Sequence, residues 1–168
     1  MKEAAHSMDE SASAEYLETY VDKFHFRVRR GYLYTSEDLW VSLEGGLARV
    51  GLTDFLQQKS GDMAFVKPAA TGKEVRKGDA IGEVETMKTT LEITSPLDGV
   101  VVEANDLLDE RPELVNEDPY GEGWLVAMRP AGGEAIQGLL DAHAYFELMK
   151  EKLAEEERGR KSRGGGNG

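Results

Sequence analysis

The stretch G-E-V-E-T-M-K-T-T-L-E-I-T-S-P-L-D-G-V-V-V-E-A-N, from Gly82 to Asn105, is the part of the sequence that best indicates the fold. Short apolar runs alternate here with turn-forming residues, which is typical of successive β-hairpins. The segment V-R-K-G-D-A-I-G-E-V before Lys88 resembles the segment I-T-S-P-L-D-G-V-V-V after it. Two such halves can close as a flattened barrel whose edges meet. Lys88 would then lie at the exposed tip of the hairpin that joins them.

The tip around Lys88 is predicted to be narrow and stiff, because its neighbours Thr86, Thr89 and Thr90 are β-branched and no Gly or Pro interrupts it. Turn formers are expected to set the height of the hairpin: Gly82, Pro96 and Gly99. Apolar residues of the flanking runs are expected to fill the barrel core, namely Ile81, Val84, Leu91, Ile93, Val100 and Val102.

Elsewhere the chain predicts a mostly β fold (α+β) with three helices. The spacing of Leu17, Tyr20, Val21 and Phe24 predicts an amphipathic helix within residues 13–26. A tight hairpin turn is expected at Gly45-Gly46, followed by a short helix over 53–59 that Thr53 or Asp54 caps. A helical stripe over 134–157 predicts a C-terminal helix packed on the sheet. We therefore divide the chain into an N-terminal extension (1–30), a barrel domain (31–130), a C-terminal helix (131–157) and a disordered tail (158–168).

Composition narrows the classes of function. The 168 residues carry 32 acidic against 20 basic side chains, a net charge of −12, which argues against nucleic acid or an anionic membrane as partner. The chain has no cysteine, so disulfides and thiol catalysis are excluded. No apolar run reaches the length of a membrane span, and the N-terminus lacks the apolar centre of a signal peptide. We expect a cytoplasmic protein.

Other candidates for chemistry are weak. The histidines His6, His25 and His143 are isolated, and none has a neighbour at metal-ligand spacing. The acidic pairs in E-A-N-D-L-L-D-E are expected to be solvated. With no nucleophile beside a base and no phosphate-binding loop, we expect a non-catalytic protein without a metal.

Residues 34–130 resemble the H proteins of the glycine cleavage system, a family of lipoyl-lysine carriers. The resemblance rests on Y-T-S-E-D-L-W-V, A-R-V-G-L-T-D-F-L-Q, G-D-M-A-F-V-K-P, G-E-V-E-T-M-K, S-P-L-D-G-V-V-V-E-A-N and P-E-L-V-N-E-D-P-Y-G-E-G-W-L. The closing L-L-D-A-H-A-Y-F-E-L is similar to the last helix of that family. The resemblance implies a flattened lipoyl/biotinyl-type barrel sandwich over 31–130.

The resemblance also implies the chemistry of the site. Lipoate would be attached to Lys88 by a lipoate ligase or a lipoyl/octanoyl transferase, with Glu85 helping that enzyme to recognise a turn flanked by Met87 and Thr89. Alternatively, Glu85 is a solvated strand carboxylate. The loaded arm would pass between glycine decarboxylase, aminomethyltransferase and dihydrolipoyl dehydrogenase, or analogous enzymes.

Two departures from the family pattern bear on the cargo. In the family a glutamate preceding the tryptophan of H-E-W helps to hold the aminomethyl-loaded arm in a surface cleft, and here that position is Leu39, preceded by Asp38. Glu92 is the remaining carboxylate expected at the cleft. M-K-T-T also replaces the family's V-K-A-A. Leu39 is either a neutral variation or the mark of a paralogue whose arm serves sulfur metabolism or relays lipoate.

Two further alternatives remain at this stage. Biotin carriers use a similar A-M-K-M turn, which Met87 resembles, although N-E-D-P-Y-G-E-G-W and Thr89 are unlike them. An unmodified interaction module on the same fold is the other.

Overall fold

Eleven strands in three antiparallel sheets form the body of the protein, and the computed structural model describes residues 15–165, with side chains as far as 161. The strands are β1 (Tyr16–Val21), β2 (Phe24–Arg29), β3 (Leu33–Tyr34), β4 (Leu39–Glu44), β5 (Leu47–Leu52), β6 (Met63–Pro68), β7 (Glu74–Val75), β8 (Ala80–Thr86), β9 (Thr90–Thr94), β10 (Gly99–Ala104) and β11 (Val126–Pro130). The helices are α1 (Asp54–Ser60), α2 (Leu107–Glu110), α3 (Leu114–Glu117), a 3₁₀ helix (Gly133–Ile136) and α4 (Ala142–Gly165).

The barrel sandwich consists of a six-stranded sheet, in the order β3-β4-β5-β11-β10-β7, and a three-stranded sheet, in the order β6-β8-β9. Apolar side chains from both sheets interdigitate in one buried cluster, which includes Val50, Val66, Val84 and Val126. The predicted flattened lipoyl/biotinyl-type barrel is confirmed. Within residues 15–165, no helix is long and apolar enough to span a membrane.

The two similar halves around Lys88 pair as the sequence predicts. Strand β8 of the first half pairs with β9 of the second, and β7 of the first pairs with β10 of the second. Their turns also hold each other, because the Gly78 amide donates to the Ser95 carbonyl at 2.9 Å and the Lys77 amide donates to the Asp98 carboxylate at 2.7 Å. The joining hairpin is thus fixed at its base as well as along its strands.

Two local predictions about turns and caps are confirmed. Gly45 and Gly46 join β4 to β5 with φ of 59° and 79°, the left-handed conformations that a two-residue hairpin loop requires. The hydroxyl of Thr53 caps α1 by accepting a hydrogen bond from the Leu56 amide at 3.2 Å.

The predicted N-terminal helix over 13–26 is wrong where the structure describes it, because Tyr16–Val21 and Phe24–Arg29 form a β-hairpin. Both runs are rich in aromatic and β-branched residues, which favour strands, and Asp22 at the turn takes a φ of 55°. Phe26 and Val28, at the alternating spacing of a strand, are the buried residues. Residues 13 and 14 lie outside the described part of the chain, as does His6.

The predicted C-terminal helix over 134–157 is shifted and interrupted. The 3₁₀ helix ends at Ile136, Gly138 follows with a φ of 87°, and Leu140 bridges to Tyr34 before α4 begins. Helix α4 then continues to Gly165, so the tail predicted as disordered from 158 is helical up to that residue. Residues 166–168 lie outside the described part of the chain.

The predicted barrel core is partly correct. Ile81, Val84 and Ile93 are buried as expected, and Leu91 packs partly buried against them. In β10 the prediction is off by one residue, because Val101 is buried while its neighbours Val100 and Val102 are only half-buried. Three consecutive valines carry no alternation, so the sequence could not specify which of them faces inward.

Candidate functional site

The hairpin tip that carries Lys88 is held by one buried threonine. The Thr86 hydroxyl accepts hydrogen bonds from the amides of Lys88, at 3.1 Å, and Thr89, at 3.0 Å. The Thr86 amide donates to the Thr89 carbonyl at 2.8 Å. These bonds close the turn between β8 and β9, with Lys88 exposed at its tip, and the stiffness of the tip stays a prediction.

The Lys88 side chain is exposed, and its stem rests on the loop that follows α1. The end of the stem lies over Gly61, which takes a φ of 89°, a left-handed backbone conformation that favours glycine. The Lys88 ammonium contacts the Lys59 carbonyl at 3.5 Å. Beside it, Met87 is 79% exposed, and Thr89 is also exposed.

Asn116, on α3, fixes this supporting loop. Its side-chain amide donates to the Gly61 carbonyl and to the Gln57 side chain, both at 3.0 Å, and its oxygen accepts from the Met63 amide at 2.9 Å. Asn116 belongs to the N-E-D-P-Y-G-E-G-W segment, but nothing in the sequence indicates that it supports Lys88, because the contact spans 55 residues.

The three residues expected at an arm cleft are not brought together. Leu39 is 2% exposed and packs in the barrel core. Asp38 is buried beside it, while Glu92 is exposed on the three-stranded sheet, opposite Glu83. Leu39 therefore lies inside the barrel, and an ionised glutamate at this position would be buried.

Asp38 is fully engaged with the C-terminal helix. Its carboxylate accepts hydrogen bonds from the Tyr145 hydroxyl at 2.8 Å and from the Lys152 ammonium at 2.9 and 3.0 Å. Burial, followed by the nearby Asp38 charge, raises the pKa of Tyr145. The tyrosine thus stays a neutral donor to Asp38.

A groove of about 1030 Å³ lies between α1 and α4. Phe55, Lys59, Asp38, Glu155 and Arg160 are among the residues that line it. Lys59 forms an ion pair with Glu156 across the groove, and its own carbonyl contacts Lys88. The groove therefore begins next to the lysine tip. Of the residues predicted at an arm cleft, Asp38 lines this groove, whereas Leu39 and Glu92 are not among its lining residues. Sequence reasoning missed the α1 and α4 walls, because they meet only through tertiary packing.

The predicted recognition residue Glu85 is exposed on β8, directly opposite Phe65 and Thr90 on the neighbouring strands. Across residues 15–161, no group of three or more histidine and carboxylate side chains is arranged to hold a metal ion.

A barrel sandwich with a lysine exposed at the hydrogen-bonded tip of a hairpin defines the class of lipoyl- and biotinyl-type carrier domains. The model of the family "Glycine cleavage H-protein" matches residues 32–152, and the chain belongs to this family. The hairpin β1–β2 and the last part of α4 lie outside the matched segment.

Named relatives agree with this assignment. The chain is 46% identical over 112 residues to the glycine cleavage system H protein of Bacteroides thetaiotaomicron, covering 67% of this chain and 89% of that protein. It is 38% identical over 136 residues to the probable glycine cleavage system H protein of Aeropyrum pernix, covering 81% and 95%. A crystal structure of a glycine cleavage system H protein from Mycobacterium marinum superposes with a TM-score of 0.62 at 34% identity, covering 68% and 92%. These relationships support a lipoyl-carrier role in glycine cleavage and do not favour the alternatives.

Proposed function

We propose that this protein carries lipoate on Lys88 and moves an aminomethyl group and electrons between the enzymes of glycine cleavage. The observation that carries the proposal is the placement of Lys88, whose exposed amine projects from a hydrogen-bonded tip. The end of its stem lies over Gly61, on the loop that follows α1.

Attachment would form an amide between Lys88 Nζ and the lipoate carboxyl group, with loss of the ammonium charge. When bound, lipoate supplies a dithiolane whose sulfurs accept electrons and a transferred group. The chain itself contributes the pivot and the tether and, in this proposal, no catalysis. A tether of this kind keeps the arm at an effective concentration of about millimolar near a docked enzyme.

We further propose that the groove between α1 and α4 receives the arm between reactions. Lys59, which lies beside the unmodified Lys88 ammonium, also lines the groove, and Phe55 offers an apolar wall. In this proposal Glu85 helps the attaching enzyme, a lipoate ligase or a lipoyl/octanoyl transferase, to recognise the turn. The later partners are glycine decarboxylase, aminomethyltransferase and dihydrolipoyl dehydrogenase. We place the protein in the cytoplasm, since a chain without cysteine suits a reducing compartment.

The first test is enzymatic attachment. Incubation with lipoate ligase, ATP and lipoate is expected to add one lipoyl group to the wild-type chain, measured by intact mass. Lys88→Ala should gain none. Lys67→Ala is the matched control, because it removes another exposed lysine from the same sheet and should still be modified. An unmodified wild-type chain, or a modified Lys88→Ala variant, would contradict the assignment of the site.

A further inference from the structure

The outer face of the three-stranded sheet runs directly up to Lys88. Cross-strand pairing places Phe65, Glu85 and Thr90 in one row, and Lys67, Glu83 and Glu92 in the next. All six side chains are exposed, and the first row is the one nearer the tip. We refer to these six residues as the sheet face.

The sheet face is acidic, and its charged side chains are not in ion pairs with other described residues. It carries three carboxylates and one ammonium group, and none of the four takes part in an ion pair among residues 15–161. Glu83 stands directly opposite Glu92. Like charges in that arrangement destabilise a sheet, although Lys67, directly opposite Glu83 on the other side, offsets part of this repulsion.

An exposed aromatic ring lies within this acidic surface. Phe65 is 54% exposed and faces Glu85 across the strands. Met87 extends the apolar surface at the tip, where it is 79% exposed. Aromatic side chains are enriched at protein interfaces, where the ring supplies contact area, and charges nearby orient the partner.

We infer that the sheet face docks the enzyme that loads the arm, through a basic surface with an apolar pocket for Phe65. The inference rests on the proposed function and adds the surface and the chemistry of the partner. The loading enzyme is favoured because its substrate, glycine, carries a carboxylate, and the entrance to a site for such a group is expected to be basic. Docking there would bring Lys88 to that entrance.

The anchor is tested with lipoylated proteins and purified glycine decarboxylase, by glycine-bicarbonate exchange at varied carrier concentration. Phe65→Ser is expected to raise the KM for the carrier about ten- to thirtyfold with kcat little changed, as for loss of an interface anchor. Phe24→Ser is the matched control, because Phe24 is 48% exposed but lies on the N-terminal hairpin, and its KM should stay within about twofold.

The charges are tested in the same assay. The double variant Glu83→Gln, Glu92→Gln should raise KM at low salt and reduce the dependence of KM on salt, since fewer charges steer the encounter. The control is Glu74→Gln, Glu103→Gln, which removes two exposed carboxylates from the other sheet. Thermal melts verify that each variant is folded.

The outcomes separate the two proposals. If lipoylated Phe65→Ser and the Glu83, Glu92 double variant both match the wild type in KM, the docking inference is overturned and the carrier function stands. If the wild-type chain is never lipoylated, the proposed function fails and the docking inference fails with it.

Discussion

Among single residues, Asp38 combines burial, a left-handed backbone conformation and an ion pair. It is buried, its φ of 70° lies in the left-handed region, and its carboxylate binds both Tyr145 and Lys152 of α4. Lys152 also donates to the Ser36 carbonyl at 2.6 Å. One carboxylate thus fastens the C-terminal helix to the start of β4.

Replacing Asp38 by asparagine tests this attachment. Asparagine tolerates the left-handed conformation and can still accept from Tyr145, but it removes the charge that Lys152 binds. We expect Asp38→Asn to lower the free energy of unfolding by about 1 to 3 kcal/mol, measured by urea denaturation. Asp22→Asn, at the exposed left-handed aspartate of the β1–β2 turn, should change it by less than about 0.5 kcal/mol. Equal effects at the two sites would show that Asp38 contributes only its backbone conformation.

Among the elements, the hairpin β1–β2 is joined to α1 through its backbone. The Arg27 amide donates to the Asp54 carboxylate at 2.9 Å, and the Gln58 side chain donates to the His25 carbonyl at 2.8 Å. The ring of Phe26 packs 5.9 Å from that of Phe55, centroid to centroid. Since Phe55 also lines the groove, the hairpin packs against one wall of the groove.

The hairpin also provides a test that separates strand from helix. In a helix with the predicted stripe, Phe24 would be buried, whereas in the hairpin the buried ring is Phe26, at 2% exposure. We expect Phe26→Ala to destabilise the protein by about 3 to 5 kcal/mol and Phe24→Ala by less than about 1 kcal/mol. Chemical denaturation of both variants measures the difference, and the reverse order would contradict the hairpin.

At the scale of the whole molecule, three buried tyrosines tie distant segments together. The hydroxyls of Tyr34, Tyr120 and Tyr145 donate to the Arg29 carbonyl, the Arg27 carbonyl and Asp38, respectively, at 2.6 to 2.8 Å. Burial is the main cause that raises the pKa of all three, so each remains protonated in the folded protein beyond its ordinary range.

This arrangement predicts loss of stability in alkali. The unfolded chain releases the three protons near pH 10, whereas the folded chain retains them, so the unfolded state binds fewer protons and is favoured as pH rises. Stability is fully present below that pH and should fall above it by up to about 4 kcal/mol per pH unit. Urea denaturation at a series of pH values measures the slope.

A single variant verifies the source of this slope. Tyr145→Phe should reduce it by about one third, because one of three groups is removed, whereas Tyr20→Phe, at a 70% exposed position, should leave it unchanged. An unchanged slope in Tyr145→Phe would mean that the buried tyrosines do not control alkaline unfolding.

The sequence predicted those parts of the molecule that depend on local signals. The turn at Gly45-Gly46, the Thr53 cap and the Lys88 tip each follow from residues that are close together in the sequence. The sequence predicts a helix in place of the hairpin β1–β2, because Leu17, Tyr20, Val21 and Phe24 fit a helical stripe. The strand preference of the aromatic and β-branched residues and the packing on α1 both favour the hairpin.

The candidate site was predictable at its tip and not around it. Lys88 is marked by the two similar halves of the barrel, but its support by Gly61 and Asn116 and the groove beyond Lys59 depend on contacts between distant segments. The sequence comparison placed Leu39 at a surface cleft, whereas burial in β4 puts it in the core. A position in a motif therefore does not specify which way its side chain faces.

In the proposed function, attachment of lipoate would change the contact between Lys88 and the Lys59 carbonyl. Lys59 lies in the last turn of α1, where unpaired carbonyls carry partial negative charge and favour a cation. The ammonium group of unmodified Lys88 is therefore attracted to the C-terminal end of α1. Once the amine becomes a neutral amide, that attraction is lost and only a weaker N–H donor remains. Attachment of lipoate would thus weaken the contact that holds unmodified Lys88 at the end of α1.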